Sequence, residues 1–205
     1  MLVHTLHIAP PMGADLLTPS TFENRVIGFF SKEKMSWDNN NLACILIFPP
    51  WQKKSLGSLL MGISYAISRR ERVLGGPEKP ISELGRKGYK RFWGAEIARW
   101  LLEQTETDKK GGDVITVSDV SQGTWIVADD CLSVLREMDV VEKIRGSEEE
   151  SVRLDKVKVR EWVAKMKINL DRVVNEEGFV EGYAIAPDET SEEEEQEEGD
   201  VEMEE

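Results

Sequence analysis

The residue types best suited to chemistry lie between Cys44 and Ser82. The apolar run Leu42–Phe48 predicts a buried strand that carries the Cys44 thiol, and two prolines end it. A polar loop, Gln52-Lys-Lys-Ser-Leu-Gly-Ser58, then leads into a helix, whose N-terminal N–H groups favour an anion such as a diphosphate. Further on, the stiff, proline-rich turn Gly75-Gly-Pro-Glu-Lys-Pro-Ile-Ser82 carries the Glu78 carboxylate. A phosphate loop, a thiol and a carboxylate together predict an acyl-transfer site.

Each of these features also has a purely structural interpretation. The Glu78 carboxylate could take a proton from a lysine ammonium, whose ordinary pKa is about 10.4, provided that desolvation raises its own pKa. A glutamate before a lysine is otherwise commonly a surface residue. Cys44 could be a nucleophile or a small core hydrophobe. The loop at 52–58 could be an ordinary strand-to-helix turn, and its lysines could simply be solvated.

Six segments occur in an order and spacing that favour one family. They are Gly28-Phe-Phe-Ser-Lys-Glu-Lys34, Asn41-Leu-Ala-Cys-Ile-Leu46, Gln52-Lys-Lys-Ser-Leu-Gly57, Ile63-Ser-Tyr-Ala-Ile-Ser68, Gly76-Pro-Glu-Lys-Pro-Ile-Ser82 and Tyr89-Lys-Arg-Phe-Trp93. With these segments the chain resembles the MYST family of lysine acetyltransferases, which act on histones. The resemblance is close from Val26 to about Leu102, and its wording is most similar to the fungal silencing-type branch.

The resemblance implies a role for each matching position. Glu78 corresponds to the general base, Cys44 to the active-site cysteine, and Ser82 to a further contact of acetyl-CoA, the implied co-substrate. The strand edge expected to pair with the pantetheine arm comprises Ile45, Leu46 and Ile47. The expected diphosphate loop comprises Gln52, Lys53, Lys54, Ser55, Leu56, Gly57 and Ser58. Ser55 departs from the family pattern, which has glycine there to allow positive φ and close approach to a phosphate.

The implied function is transfer of acetyl from acetyl-CoA to a lysine ε-amine, with the histone H4 tail as the first candidate substrate. Histone tails, subunits of chromatin-associated complexes and a nuclear location follow from the same resemblance. The sequence leaves open whether the acetyl group passes through Cys44 or is attacked directly. A catalytically silent fragment that binds acetyl-CoA or a partner is an alternative, and a small-molecule N-acetyltransferase is a second one.

Composition limits the other classes of function. The chain has 205 residues and a net charge of −13, but twelve acidic residues lie from Asp188 onward. Without them 27 acidic residues stand against 26 basic ones, so no basic patch predicts sequence-specific nucleic-acid binding. The two cysteines do not suggest a disulfide framework, which fits a reducing compartment. Neither a signal peptide nor a membrane span is expected, and no spacing of His and Cys predicts a metal site.

The predicted fold class is α/β, with an acetyl-CoA-binding core of the GNAT-like kind. We expect a loop segment at 1–24, the catalytic core at 25–108, a winged helix-turn-helix-like subdomain at 113–170 and a disordered acidic tail at 187–205. Apolar spacing predicts helices from Leu56 to about Arg70 and through Tyr89 to Leu101, with Ser82 as a possible cap of the second. A later helix through Val127, Cys131, Leu135 and Met138 is predicted to hold Cys131 as a core residue. The N-terminal zinc-finger half that the family normally carries is expected to be absent.

Overall fold

The computed structural model describes residues 1–9, 20–33, 37–38, 40–104, 115–143 and 150–185. Helices and strands are both present in this part of the chain, in agreement with the predicted α/β class. The acidic segment predicted to be disordered, 187–205, lies outside the described residues, as does the polar boundary predicted around 105–112.

The N-terminal segment is a strand rather than the predicted loop. Strand β1 (Leu2–Ile8) pairs in antiparallel fashion with β2 (Thr21–Ser31), in a register that joins Ile8 to Thr21. The side chains of β1 alternate between half-buried and exposed along most of its length, which is the period of two expected of a strand with one covered face. The prediction of a loop was therefore wrong for Leu2–Ile8 and for the residues from Thr21 onward, whereas residues 10–19 lie outside the described residues. The first residues are mostly apolar or β-branched, and they gain a strand conformation by pairing with the distant β2.

The apolar run at 42–48 is divided between two strands. Strand β3 (Asn40–Leu42) pairs in parallel with β5 (Gly76–Pro77), whereas β4 (Cys44–Ile47) pairs in antiparallel fashion with β2. The prediction of one buried strand over Leu42–Phe48 was therefore wrong. Within the described residues β4 is the last strand of its sheet. Its side chains alternate between two faces, so Cys44 and Leu46 lie on an exposed face while Ile45 packs against the core.

Two helices form the centre of the core, as the apolar spacing predicts. Helix α1 (Leu56–Arg70) contacts helix α2 (Glu83–Glu103), and the indole N–H of Trp93 donates a 2.7 Å hydrogen bond to the hydroxyl of Tyr65 between them. Ile97 and Leu101 of α2 are fully buried. Ser82 begins α2 as its N-cap, with its Oγ accepting from the Gly85 N–H at 3.1 Å.

A second group of short elements follows α2. It comprises β6 (Ile115–Thr116), α3 (Val117–Thr124), α4 (Ala128–Glu137), β7 (Val141–Lys143), β8 (Glu150–Val152) and α5 (Lys156–Met166). Two helices followed by a β-hairpin are the elements predicted for the winged-helix-like subdomain. This group packs directly on the core: a Cβ built on Gly94 of α2 would lie only 2.5 Å from the Trp162 ring of α5. The absence of a side chain at Gly94 therefore allows the two helices to approach closely.

The chain after α5 returns across α1 and α2. Four arginines bind the end of α5 and this segment, each at a different point. Arg91 donates to the carbonyls of Met166 and Lys167, and Arg99 donates to that of Leu170. Arg69 pairs with Glu176 at 2.9 Å, and Arg70 donates to the Tyr183 carbonyl at 2.9 Å. No helix among the described residues is long and apolar enough to cross a membrane.

Candidate functional site

The candidate catalytic residues Glu78 and Cys44 lie just beyond the paired residues of β3 and β5. In the parallel pair, Leu42 of β3 lies opposite Pro77 of β5, and the next N–H after Pro77, that of Glu78, donates to the Leu42 carbonyl at 2.9 Å. Cys44 follows Leu42 by two residues. Because parallel neighbours are spaced by about 4.8 Å, this register brings the Glu78 and Cys44 backbones to the same end of the two-stranded ladder. The two residues predicted from the sequence thus both follow the β3–β5 pair, at the same end of it.

Both candidate catalytic side chains are accessible. Cys44 is exposed and reduced, and its backbone N–H donates to the Ser31 hydroxyl at 3.2 Å. Glu78 is also exposed, so the described residues alone do not supply the desolvation that its proposed role calls for. Bound substrates would have to exclude water from this carboxylate.

The strand edge at Ile45, Leu46 and Ile47 is open apart from the Ile47 carbonyl, to which the Gln52 side chain already donates. One edge of β4 pairs with β2, with Leu46 opposite Phe29, and the other edge has no strand partner among the described residues. Backbone N–H and C=O groups on such an edge can bind an extended ligand in the manner of an added strand. This placement suits the amide-containing pantetheine arm that the resemblance assigns to it.

The loop from β4 to α1 is shaped by its own side chains. Pro49–Trp51 form a short 3₁₀ turn, and the Gln52 side chain donates to the Ile47 carbonyl at 2.9 Å. The ammonium of Lys54 lies 4.8 Å from the centre of the Trp51 ring, a cation–π contact. Lys53 and Ser55 both have positive φ, near +60°. Because this conformation costs a non-glycine residue roughly 1–2 kcal/mol, the loop holds a strained shape at the start of α1.

The N-terminus of α1 presents unpaired backbone donors. Ser55 is the N-cap residue but its side chain makes no capping hydrogen bond, and the first N–H bonded back to it is that of Leu59 at 3.2 Å. No acidic residue lies in the first turn, and a Cβ built on Gly57 would meet nothing within 4 Å. A negatively charged group can therefore reach the N–H groups of Leu56, Gly57 and Ser58 without obstruction. These residues fit the diphosphate of acetyl-CoA.

Replacing Gly57 by alanine tests this fit. The added methyl group would occupy the open space at the helix N-terminus, so we expect acetyl-CoA affinity to fall by about 10- to 100-fold, as when a hydrogen bond to a charged group is lost. Helix propensity should at the same time raise the free energy of unfolding by up to about 1 kcal/mol. Isothermal calorimetry and urea unfolding measure the two effects.

Gly178→Ala is the matched control, because a Cβ there also meets nothing within 4 Å. It lies in the short 3₁₀ turn Glu176–Gly178, away from the loop, and should leave acetyl-CoA affinity unchanged. Equal affinities for wild type and the Gly57 variant would rule out close approach of the diphosphate at this turn.

Ser82 has a structural role in addition to its predicted one. Its hydroxyl caps α2, as described above, so the contact with acetyl-CoA that the resemblance implies would be made by a residue already bound to the helix backbone. Arg91, further along α2, binds the carbonyls of Met166 and Lys167 at the end of α5.

Burial distinguishes the two cysteines. Cys131 is fully buried in α4, and burial raises the pKa of its thiol to about 12, so it is an unreactive core residue as predicted. Burial likewise raises the pKa of the Tyr65 and Tyr89 hydroxyls of the helical core.

No group of three or more His, Cys, Asp or Glu side chains among the described residues could hold a metal ion.

One residue near the site was missed by sequence reasoning. Asp130, in the first turn of α4, is only 7% exposed, and its Oδ1 lies 3.3 Å from the ammonium of Lys79, the residue after Glu78. The signal was present, because Asp130 falls on the apolar face of α4 that Val127, Cys131 and Val134 define. An acidic residue on such a face needs a partner.

An α/β fold that combines an exposed helix N-terminus with an unpaired strand edge has features suited to an acyl-CoA co-substrate. The sequence profile of the MOZ/SAS family matches residues 16–179, most of the chain. The chain therefore belongs to the MOZ/SAS family. This confirms the resemblance inferred from the six segments.

Three curated relatives show the extent of the similarity. The histone acetyltransferase Tip60 homolog of Caenorhabditis elegans is 42% identical over 124 residues, which make up 60% of this chain and 27% of the relative. The histone acetyltransferase MOF of Drosophila melanogaster is 42% identical over 123 residues, 60% of this chain and 14% of the relative. The histone acetyltransferase SAS2 of Saccharomyces cerevisiae is 40% identical over 121 residues, 59% of this chain and 35% of the relative. The chain thus matches well under half the length of these relatives.

Proposed function

We propose that this chain carries out acetyl transfer from acetyl-CoA to a lysine ε-amine of a histone, with the H4 tail as the preferred substrate. The proposal is supported by the position of Glu78 and Cys44, which both follow the β3–β5 pair at the same end, and by the open edge of β4. The family and the names of the relatives support the same class of reaction.

In the proposed reaction Glu78 is the general base. Its carboxylate takes a proton from the lysine ammonium, and the free amine forms a C–N bond to the acetyl carbonyl carbon as the C–S bond breaks. Acetyl-CoA supplies the activated acyl group as a thioester, and the departing sulfur gains a proton. The acetyl group passes either directly or by way of a thioester on Cys44, whose sulfur then leaves in turn. Backbone N–H groups near the Cys44–Leu46 strand edge would stabilise the negative charge on the carbonyl oxygen, apart from the Cys44 N–H, which already donates to the Ser31 hydroxyl.

The residues that hold acetyl-CoA follow from the same geometry. The edge of β4 would pair with the pantetheine arm, and the N-terminus of α1 would bind the diphosphate, with Lys53 and Lys54 adding positive charge. Histone-bearing chromatin, other subunits of a chromatin-associated complex and a nuclear location belong to the same proposal.

A silent acetyl-CoA-binding fragment is the second candidate. Its specific support is Ser55, which occupies a left-handed conformation with φ of 59° where glycine would be unstrained. Strain at this turn would weaken the binding of the co-substrate and thereby lower turnover.

Transfer of labelled acetyl from acetyl-CoA to H4 and H3 tail peptides distinguishes these candidates. We expect transfer to both, with the larger kcat/KM for the H4 peptide. Calorimetric binding of acetyl-CoA without transfer to either peptide would favour the silent fragment. Transfer to a small amine but to neither peptide would instead favour a small-molecule N-acetyltransferase.

A further inference from the structure

Few contacts hold the Glu78 side chain directly. Glu78 is exposed, and its own backbone N–H is bonded to the Leu42 carbonyl at 2.9 Å. Its position therefore depends on how firmly Gly75–Lys79 is held on either side. On one side, β3 pairs with Gly76 and Pro77, and the buried Asn41 side chain donates to the Gly75 carbonyl at 3.4 Å.

The other side of the segment rests on the beginning of α4. Gly75 forms a parallel β-bridge with Ile126, and a Cβ built on Gly76 would lie 3.4 Å from both Asp130 Oδ2 and a methyl group of Val127. Asp130 thus lies directly beneath the backbone that leads to Glu78. Its other oxygen, Oδ1, pairs with Lys79 on the far side of Glu78.

Asp130 is an unfavourable residue for this location on grounds of stability alone. Its side chain is 9% exposed, Oδ2 has no hydrogen-bond partner among the described residues, and a buried carboxylate loses its hydration. The groups around it are Lys79 of the Glu78 segment, Tyr89 of α2, Tyr65 of α1 and Asp129 of α4. Burial raises the pKa of the Asp130 carboxyl, although the Lys79 ammonium opposes this change. A pair with a half-exposed lysine contributes little to stability.

We propose that Asp130 is a positioning residue for Glu78, which holds the Gly75–Lys79 segment from the winged-helix-like subdomain through Gly76 and the Lys79 ammonium. This inference rests on the proposed function of Glu78 as the base. It gives the second subdomain a specific task in the reaction, namely to fix the position and orientation of the segment that carries the Glu78 carboxylate.

Asp130→Asn separates positioning from folding. The amide has nearly the same shape, cannot form the ion pair with Lys79, and avoids the cost of a buried charge. We therefore expect an unchanged or higher Tm at pH 7, a kcat reduced by about 10- to 100-fold, and a KM for acetyl-CoA within about twofold of wild type. The comparison uses the full chain with acetyl-CoA and an H4 peptide.

Asp129→Asn is the matched control, because Asp129 lies in the same first turn of α4 but is exposed. Both changes remove a charge that the helix N-terminus favours, so that contribution cancels between them. Lys79→Met should lower kcat to a similar degree, and the double variant Lys79→Met with Asp130→Asn should be no slower than the slower single variant.

Hydrogen exchange at the Glu78 backbone amide reports how firmly this segment is held, and the measurement does not depend on catalytic turnover. In the Asp130→Asn variant this amide should exchange about tenfold faster than in wild type, while Asp129→Asn leaves it unchanged. Unchanged exchange or unchanged kcat in Asp130→Asn would overturn the proposal, as would a fall in kcat matched by a fall in Tm and in acetyl-CoA affinity. Failure of the proposed function would be seen separately, as an inactive wild type or a fully active Glu78→Gln variant.

Discussion

Replacing Glu78 by glutamine is expected to lower kcat for acetyl transfer by about 100- to 10,000-fold, the usual contribution of a general base. Glutamine keeps the length and shape of the side chain but cannot accept the proton of the lysine ammonium. Because Glu78 is exposed and its segment is held by backbone contacts, the change should leave the fold intact. Initial rates with labelled acetyl-CoA and an H4 peptide measure the effect.

The Glu78 variant should bind acetyl-CoA as wild type does, since the residues proposed to hold the co-substrate lie on β4 and at the start of α1. Glu83→Gln provides the control: this residue is also exposed, lies one residue beyond the Ser82 cap, and should keep kcat within about twofold of wild type. A Glu78→Gln enzyme with wild-type kcat across the pH range would remove Glu78 from the reaction.

The largest loss of stability is expected from Leu101→Ala. Leu101 is 0% exposed near the end of α2, the helix that contacts α1, α3, α4 and α5. Truncation of a buried leucine removes apolar contacts and leaves a cavity, so the free energy of unfolding should fall by about 2–5 kcal/mol. Urea unfolding followed by circular dichroism, with the slope of the transition compared between variants, measures this change.

Leu84→Ala in the same helix is the matched control, since Leu84 is 82% exposed. Leucine and alanine both favour helix, so this variant should change the free energy of unfolding by less than about 0.5 kcal/mol. Similar losses in the two variants would show that Leu101 does not hold the core and subdomain together.

The helical part of the fold was predictable because its signals are local. The spacing of apolar residues identified α1 and α2, and Ser82 was recognised as a possible cap of α2. The same reasoning placed Cys131 in the helix core, where it is fully buried. In each case residues three or four positions apart share a face, so the pattern carries its own register.

The strands were predicted less well because their environment depends on partners distant in sequence. The run Leu42–Phe48 has the composition of a central strand, but the chain changes partners at Ala43, from β5 to β2. Composition cannot reveal this change, which leaves Cys44 and Leu46 exposed instead of buried. Likewise β1 forms only through its pairing with β2 across residues 10–19.

The sequence by itself determined the family, the helices and the identity of the candidate residues, because short segments and helical periodicity are properties of neighbouring positions. Only the tertiary structure determined which faces and edges of the candidate residues are accessible. The parallel pairing of β3 with β5 brings the Glu78 and Cys44 backbones to one end of a ladder, and the approach of α4 sets Asp130 against the Glu78 segment. Such contacts join residues more than thirty positions apart, and only the packing of the whole chain fixes them.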